Sequence, residues 1–394
     1  MRTNWDVVIA GGAVTGSSIA WHLATHPGFQ GNILVLEPDP SYQRSASALS
    51  AGSIRQQFSQ PVNIAISLYG IAFLRKIGQT LRVGDEAPEI GLKEGGYLYL
   101  GDTRHEPVFR ENNASQRAQG AETVLLDTAD LGDRFPWLET ADLAIGSYGL
   151  RGEGWFDGYG LMQAFRKAAR AAGVTYHTAR VVGFEQRGGR VEAVRLEQGD
   201  ALSCGAFINA AGASGARALC EDLGVFVPVY AKKRSVFGFS CKTELSNHPL
   251  IIDKSGVWWR PEGDGYIAGF SPDDLDEMDH AHDFEVDWPL FEAVIWPALA
   301  ARVPAFEAIR PGRAWAGHYD MNLLDHNALV GVLEGFKNAY LACGFSGHGL
   351  QQSPAIGRGM AELLVEGRYR SLDLSELGMD RLAARRPLLE RNVI

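Results

Sequence analysis

The sequence predicts an α/β domain of Rossmann-like build joined to an α+β domain with a mixed or antiparallel sheet. Three observations carry this. The chain opens on an apolar run, a glycine turn, helical spacing and a second apolar run; its middle reads as short strands divided by turns; and its last third returns to glycine-rich turns. With 394 residues it is long enough for two cores and short for three.

Taken in order, "DVVIA" at 6–10 suits a buried parallel strand. "GGAVTG" follows, and "SSIAWHLATHP" then sets Ile19, Ala20, Leu23 and Ala24 at helical spacing. "NILVLEPD" is a second apolar run that carries Glu37 at its end. This order is half of a dinucleotide-binding unit. Gly11 allows the tight turn, Gly16 lets helix and strand approach, and the helix start offers free N–H groups to a pyrophosphate. Glu37 stands where a carboxylate accepts hydrogen bonds from ribose hydroxyls, which disfavours a 2′-phosphate. Ala13 occupies the place of the fingerprint's middle glycine; its methyl fits if φ is negative and the methyl points away from the ligand. The order alone leaves FAD and NAD both open.

Residues 41–60, "SYQRSASALSAGSIRQQFSQ", are small and polar, as in a loop lying against a large ligand. "NIAISLYGIAFLRKIG" resumes helical spacing, "GGYLYLG" reads as a strand, and "TADLGDRFPWLE" as a short helix and turn. "DGYGLMQAFRKAARAAG" is an amphipathic helix with Leu161, Ala164, Phe165 and Ala168 on one stripe. Several strands follow to residue 209, and a second module with "VYAKKRSVFGFS" and "GVWWRPEGDGYIAGF" runs over 222–308. The basic "DRLAARRPLLERNVI" reads as a solvated end.

A formal charge of -10 argues against a nucleic-acid or anionic-membrane surface, so no nucleic-acid partner is expected. No apolar stretch has the length of a transmembrane segment, and "MRTNWDVVIA" lacks the pattern of a signal peptide. Cys204, Cys220, Cys241 and Cys343 form no CxxC, which fits a cytoplasmic location while leaving disulfides open. His318, Asp325 and His326 lack a complementary ligand set, so no metal is expected.

"DVVIAGGAVTG", "SAGSIRQQFS", "INAAGASG", "WWRPEGDGYIAG", "HYDMNLLDHNALVG" and "GFSGHGLQQSPAIG", in this order over nearly the whole chain, resemble the FAD-dependent amine and amino-acid oxidoreductases of the D-amino-acid oxidase superfamily. Sarcosine oxidase, dimethylglycine dehydrogenase and a mitochondrial FAD-dependent oxidoreductase-domain protein are the members it looks like most. The resemblance implies a discontinuous FAD-binding domain over 1–87, 151–221 and 309–372, a substrate domain over 88–150 and 222–308, and a C-terminal extension over 373–394. It implies that Gly11, Gly12, Ala13 and Gly16 flank the pyrophosphate, with Glu37 on ribose. Arg44, Ser45, Ala51, Gly52 and Ser53 would line the cofactor's centre, Val182 its adenine side, and Ala211 and Gly212 its phosphates. Gly347, His348, Gly349, Leu350 and Gln351 would pass the pyrimidine end of the flavin.

Departures from the family pattern sharpen the expectation. Leu49 stands where dimethylglycine dehydrogenase-like enzymes attach FAD through histidine, and Gly317 where monomeric sarcosine oxidase uses cysteine, so tight noncovalent FAD is expected. Ile267 replaces the lysine credited with activating oxygen, which leaves oxygen and an electron-transfer acceptor both open. Arg55 matches the arginine that pairs with a substrate carboxylate, against the alternative of an arginine holding its own loop. Gln351 replaces that site's partner lysine. Tyr319, Trp258 and Arg260 are the expected aromatic and cationic side of the substrate pocket, with packing as the alternative. The implied activity is oxidation of the C–N bond of an N-substituted amino acid by hydride transfer to flavin N5, followed by imine hydrolysis. D-amino-acid or glycine oxidation, 2-hydroxy-acid oxidation and a flavin-containing scaffold are the alternatives; the oligomeric state is left open.

Overall fold

The structure, a computed structural model, describes residues 2–271 and 280–392. Its first sheet runs 329–332, 339–343, 201–209, 4–10, 33–37, 175–178 from edge to edge. The five strands from 339–343 to 175–178 are mutually parallel. Leu329–Val332 and the hairpin 181–196 join them antiparallel. Strand Asn4–Ala10 shows why it lies at the centre. Val7 and Ile9 pack on one face with Ile19, Leu23 and Ile356, while Val8 and Ala10 pack on the other with Leu219 and Leu341. Both faces are covered, as parallel strands require.

Helix Val14–Ala24 and the later helix Gly349–Glu366 lie against each other on one of these faces. Gly357 makes the contact close: a Cβ there would fall 2.1 Å from Ser18 Oγ. Residues more than three hundred positions apart in sequence are thereby fixed side by side, and both helix starts face the same space.

The second sheet runs 310–322, 229–240, 265–270, 257–262, 250–252, 97–101, 145–149, 123–126. It is antiparallel except where Leu250–Ile252 lies parallel to Tyr97–Gly101, so it is a mixed sheet, as expected. Strand Val257–Glu262 alternates cleanly: Trp259 joins Phe237, Phe291 and Phe306 on one face, and Trp258 joins Tyr97, Trp155 and Ile267 on the other. Arg310–Asn322, within the span expected for the first domain, is hydrogen-bonded along the Val229–Ser240 strand of the second sheet.

One expectation holds only in part. In the segment 380–394, expected as a solvated end, Arg385, Arg386 and Arg391 are exposed, whereas Arg381 and Glu390 are buried. Arg381 closes an ion pair on Asp325 at 2.7 Å, and Glu390 accepts hydrogen bonds from Ser59 N at 2.8 Å and Asn63 Nδ2 at 2.9 Å. Basic composition suggested solvent throughout; a buried carboxylate and backbone carbonyls draw Arg381 inward. Among the described residues, no helix is long and apolar enough to cross a membrane.

Candidate active site

A cavity of about 860 Å³ lies between the two sheets, and residues from both line it. The glycine turn after the first strand contributes Gly11 and Ala13 to its lining. Gly11 has φ +98°, and a Cβ there would meet Ala210 O at 2.3 Å. A Cβ on Gly16 would lie 1.9 Å from Gly11 O, so the turn closes only with glycine at both ends. Ala13, between them, has φ −71°, the sterically ordinary sign that admits its methyl. Glu37 knits the turn to the second strand: one oxygen accepts from Gly12 N at 2.9 Å, the other from Asp39 N at 3.0 Å. Burial pushes this carboxyl up from its ordinary range.

Across from that turn, Ala211 and Gly212 start a second helix, with Gly212 at φ +56° and Ala211 N donating to Asn209 Oδ1. Two helix starts therefore present N–H groups to one end of the cavity, the arrangement that receives phosphate groups. Arg44, Ser45 and Ala51 line its middle, and Val182 lies on its border. Ser45 is held by capping a short helix, its Oγ accepting from Ala48 N at 3.2 Å.

Another part of the lining is built by the turn 344–347, where Gly344, Ser346 and Gly347 all have positive φ. Asp320 holds the turn by accepting from Gly344 N at 2.7 Å, and Ser346 Oγ accepts from Asn322 N at 3.1 Å. The turn aims the start of helix Gly349–Glu366 into the cavity, where Gly347, Gly349 and Leu350 line it. Tyr319 and Trp258 form the facing wall. A Cβ on Gly347 would fall 2.6 Å from the Tyr319 ring, so the two are in direct contact. Leu49 and Gly317 also meet here: a Cβ on Gly317 would be 2.9 Å from Leu49 Cβ. Both positions expected to lack a covalent flavin link thus converge on one spot of the wall.

Several expected site residues stand behind the cavity wall. Gly12 and Gly16 support the glycine turn, and Gly52, at φ +66°, approaches Phe156 O. Ser53 pairs with Trp155 in a two-stranded ribbon. Arg260 donates to Ala51 O at 3.2 Å and pairs with Glu262, tying the 51–53 loop to the second sheet. Gln351 Oε1 accepts from Arg55 N at 3.0 Å and Ser67 Oγ at 3.1 Å, so it fixes the Arg55 backbone.

Arg55 itself is only 2% exposed. Its guanidinium lies 4.5 Å from the Phe58 ring centre and near Tyr97 and Tyr99. Nη2 donates to His348 Nε2 at 3.0 Å. Burial and the adjacent Arg55 charge hold His348 well below the usual imidazole range, so it stays neutral and accepts this bond. Among the described residues, no carboxylate forms an ion pair with Arg55, and its Nε has no hydrogen-bond partner.

Sequence reasoning missed Glu153, Asp320 and Arg234. Arg234 lines the cavity 5.6 Å from the Tyr319 ring, opposite Gly317 across the strand pair. Strand alternation from Tyr319 could have found it once the pairing was known. Glu153, fully buried, accepts from Gln56 N at 2.5 Å, Gln57 N at 3.1 Å and Gln57 Nε2 at 2.7 Å, and so shapes the loop that carries Arg55. Desolvation lifts its carboxyl to about 7. The folded chain then keeps a proton that the unfolded chain releases near pH 4.5, and this group's contribution to stability declines as pH rises from about 4.5 to 7. Glu153→Gln is expected to flatten that part of the urea-midpoint-against-pH curve; an unaltered slope refutes the assignment.

Among the described residues, no group of three or more His, Cys, Asp and Glu side chains could hold a metal ion; Asp325 is committed to Arg381.

Three comparisons fit this geometry. The sequence profile described as FAD dependent oxidoreductase (DAO) matches residues 6–363. The chain is 40% identical over 423 residues to FAD-dependent oxidoreductase domain-containing protein 1 of Xenopus laevis, covering 99% of this chain and 85% of that protein. It is 23% identical over 381 residues to the sarcosine oxidase subunit beta of Rhizobium meliloti, covering 93% and 86%. Its fold matches L-proline dehydrogenase from P. horikoshii with a TM-score of 0.85 at 23% identity, over 98% of this chain and 99% of that one.

Proposed function

The chain belongs to the DAO family of FAD-dependent oxidoreductases, and on that premise we propose that it oxidises the C–N bond of an N-substituted, secondary amino acid. It is an enzyme related to amino-acid oxidases. The buried Arg55 guanidinium, with no carboxylate partner and an unmatched Nε among the described residues, is the observation that carries the substrate reading. A lone buried cation is costly unless an anion meets it, and a substrate carboxylate is that anion. Relatives named for sarcosine and L-proline, both secondary amino acids, support the choice of amine.

The cavity suits FAD. Its volume is that of a large-ligand site, a Cβ would fill the glycine turn in its lining, and two helix starts serve the pyrophosphate. Gly11, Ala13, Ala211 and Gly212 would hold the phosphates, Glu37 the ribose, and Gly347, Gly349 and Leu350 the pyrimidine end. Bound FAD supplies the two-electron acceptor for the hydride lost from the carbon beside nitrogen. Arg55 holds the carboxylate, while Tyr319 and Trp258 close the pocket and keep water from the amine. Neutral His348 orients Arg55 and takes no proton from the substrate. With Ile267 buried in an aromatic cluster, the acceptor that reoxidises the enzyme is oxygen or an electron carrier. We place the enzyme in the cytoplasm, where its four free cysteines stay reduced.

Purified protein is expected to be yellow and to release its FAD on acid precipitation; flavin retained in the pellet refutes noncovalent binding. Anaerobic flavin bleaching should be fastest with N-methyl amino acids and iminodiacids. Bleaching by 2-hydroxy acids alone rejects the amine reading.

A further inference from the structure

We infer that the main-chain carbonyl of Asn392 is a resident occupant of the anion position on Arg55, and that a bound carboxylate displaces it. The inference rests on reading Arg55 as the carboxylate anchor. Arg55 Nη2 donates to Asn392 O as well as to His348, whereas Nε has no partner among the described residues. Nε and Nη2 are the two teeth of one guanidinium edge. A single carbonyl oxygen satisfies one tooth, and a carboxylate satisfies both. The Tyr99 hydroxyl, beside the same guanidinium, is also buried without a partner among the described residues. Two orphaned donors around one half-filled fork describe a site built for more oxygens than the peptide supplies.

The segment that delivers the carbonyl can yield. Residues 385–392 form no helix or strand. Their firm attachment lies upstream, where the buried Glu390 carboxylate accepts from Ser59 N, Ser59 Oγ, Gln60 N and Asn63 Nδ2. Beyond Glu390 the ties are less deeply buried, and Asn392 N donates back to the Glu390 carboxylate at 3.1 Å. Arg391 N donates to Ser59 Oγ, and Arg391 makes a solvent-exposed pair with Glu111. Asn392 Nδ2 donates to Gln57 O at 2.9 Å, and Asn112 Nδ2 reaches Asn392 Oδ1 at 3.4 Å. An exposed pair adds little, so release past Glu390 need not disturb the anchor.

The test uses three FAD-loaded proteins: the full chain, a chain ending at Glu390, and that shortened chain with Arg55→Ala. Acetate, a carboxylate with no oxidisable amine, is titrated against each by flavin absorbance and by equilibrium dialysis of labelled acetate. The shortened chain is expected to bind about tenfold more tightly than the full chain, the factor for removing one competing charge-assisted hydrogen bond. Arg55→Ala should abolish that binding. Equal affinity of full and shortened chains, with loss on Arg55→Ala, overturns the displacement while the carboxylate reading survives. Binding that is indifferent to Arg55→Ala, or absent throughout, overturns both. On the unaltered full chain, carboxypeptidase trimming should speed up at saturating acetate; an unchanged rate also overturns the displacement, whatever the shortened chain does.

Discussion

Arg55→Ala is expected to lower kcat/KM for carboxylate-bearing amines by about a hundredfold to a thousandfold while FAD content stays unchanged. Truncating one partner of a buried, hydrogen-bonded charge pair costs about 2–5 kcal/mol, which sets that range. FAD should be retained because Arg55 stands behind the cavity wall, and its backbone is held independently by Gln351. The aromatic box of Phe58, Tyr97 and Tyr99 would then enclose a void lacking any cation. Arg55→Lys should recover only part of the loss, because an ammonium cannot offer two parallel N–H groups from one planar edge. Saturation of anaerobic bleaching measures the effect. Unchanged half-saturation with N-methyl amino acids in Arg55→Ala would leave the residue as a support for its own loop.

Arg381→Ala should destabilise the fold by about 3–5 kcal/mol, the typical cost of leaving one member of a buried ion pair alone. Asp325 is wholly buried and accepts from Arg381 Nε at 2.7 Å, Asn322 Nδ2 at 2.9 Å and Leu388 N at 2.9 Å. Arg381 in turn donates to the carbonyls of Asn327 at 3.0 Å and Ala328 at 2.7 Å. Removing the guanidinium strands a carboxylate and two carbonyls at once. The urea midpoint of the holoenzyme reads the loss. Replacing both partners, Asp325→Leu with Arg381→Met, should cost less than Arg381→Ala alone, since no charge is then left unpaired. A single variant within about 0.5 kcal/mol of the parent, the range of an ordinary surface substitution, would contradict this account.

The glycine turn after the first strand was legible in the sequence because its requirements are local. Gly11 and Gly16 are demanded by contacts within one strand–turn–helix unit, and the acceptance of Ala13 depends on a single backbone angle. Glu37 was expected at a ribose and does line the cavity, yet its bonds to Gly12 and Asp39 became visible only with the strands paired. The substrate side was less legible. Trp258 and Tyr319 face the cavity as expected, whereas Arg260 is spent on tying a loop to the second sheet. Gln351, read as a weakened clamp, turns its side chain to the Arg55 backbone. Glu153 lies in no motif and Asp320 stood without a role inside "HYDMNLLDHNALVG", because each acts by accepting main-chain N–H groups from a turn in another part of the chain.

The sequence by itself determined the two-domain class and the glycine turn, since hydrophobic period and turn residues act over a few positions, while the flavin chemistry was implied by the resemblance to the D-amino-acid oxidase superfamily. Tertiary structure alone decided which charges are buried and who meets them. Arg55 is enclosed by Tyr97, His348 and Asn392, and Arg381 by Asp325, through contacts spanning tens to hundreds of residues. The energy of a charge depends on solvent and on its neighbours in space. Neither is written in the residues beside it in the chain.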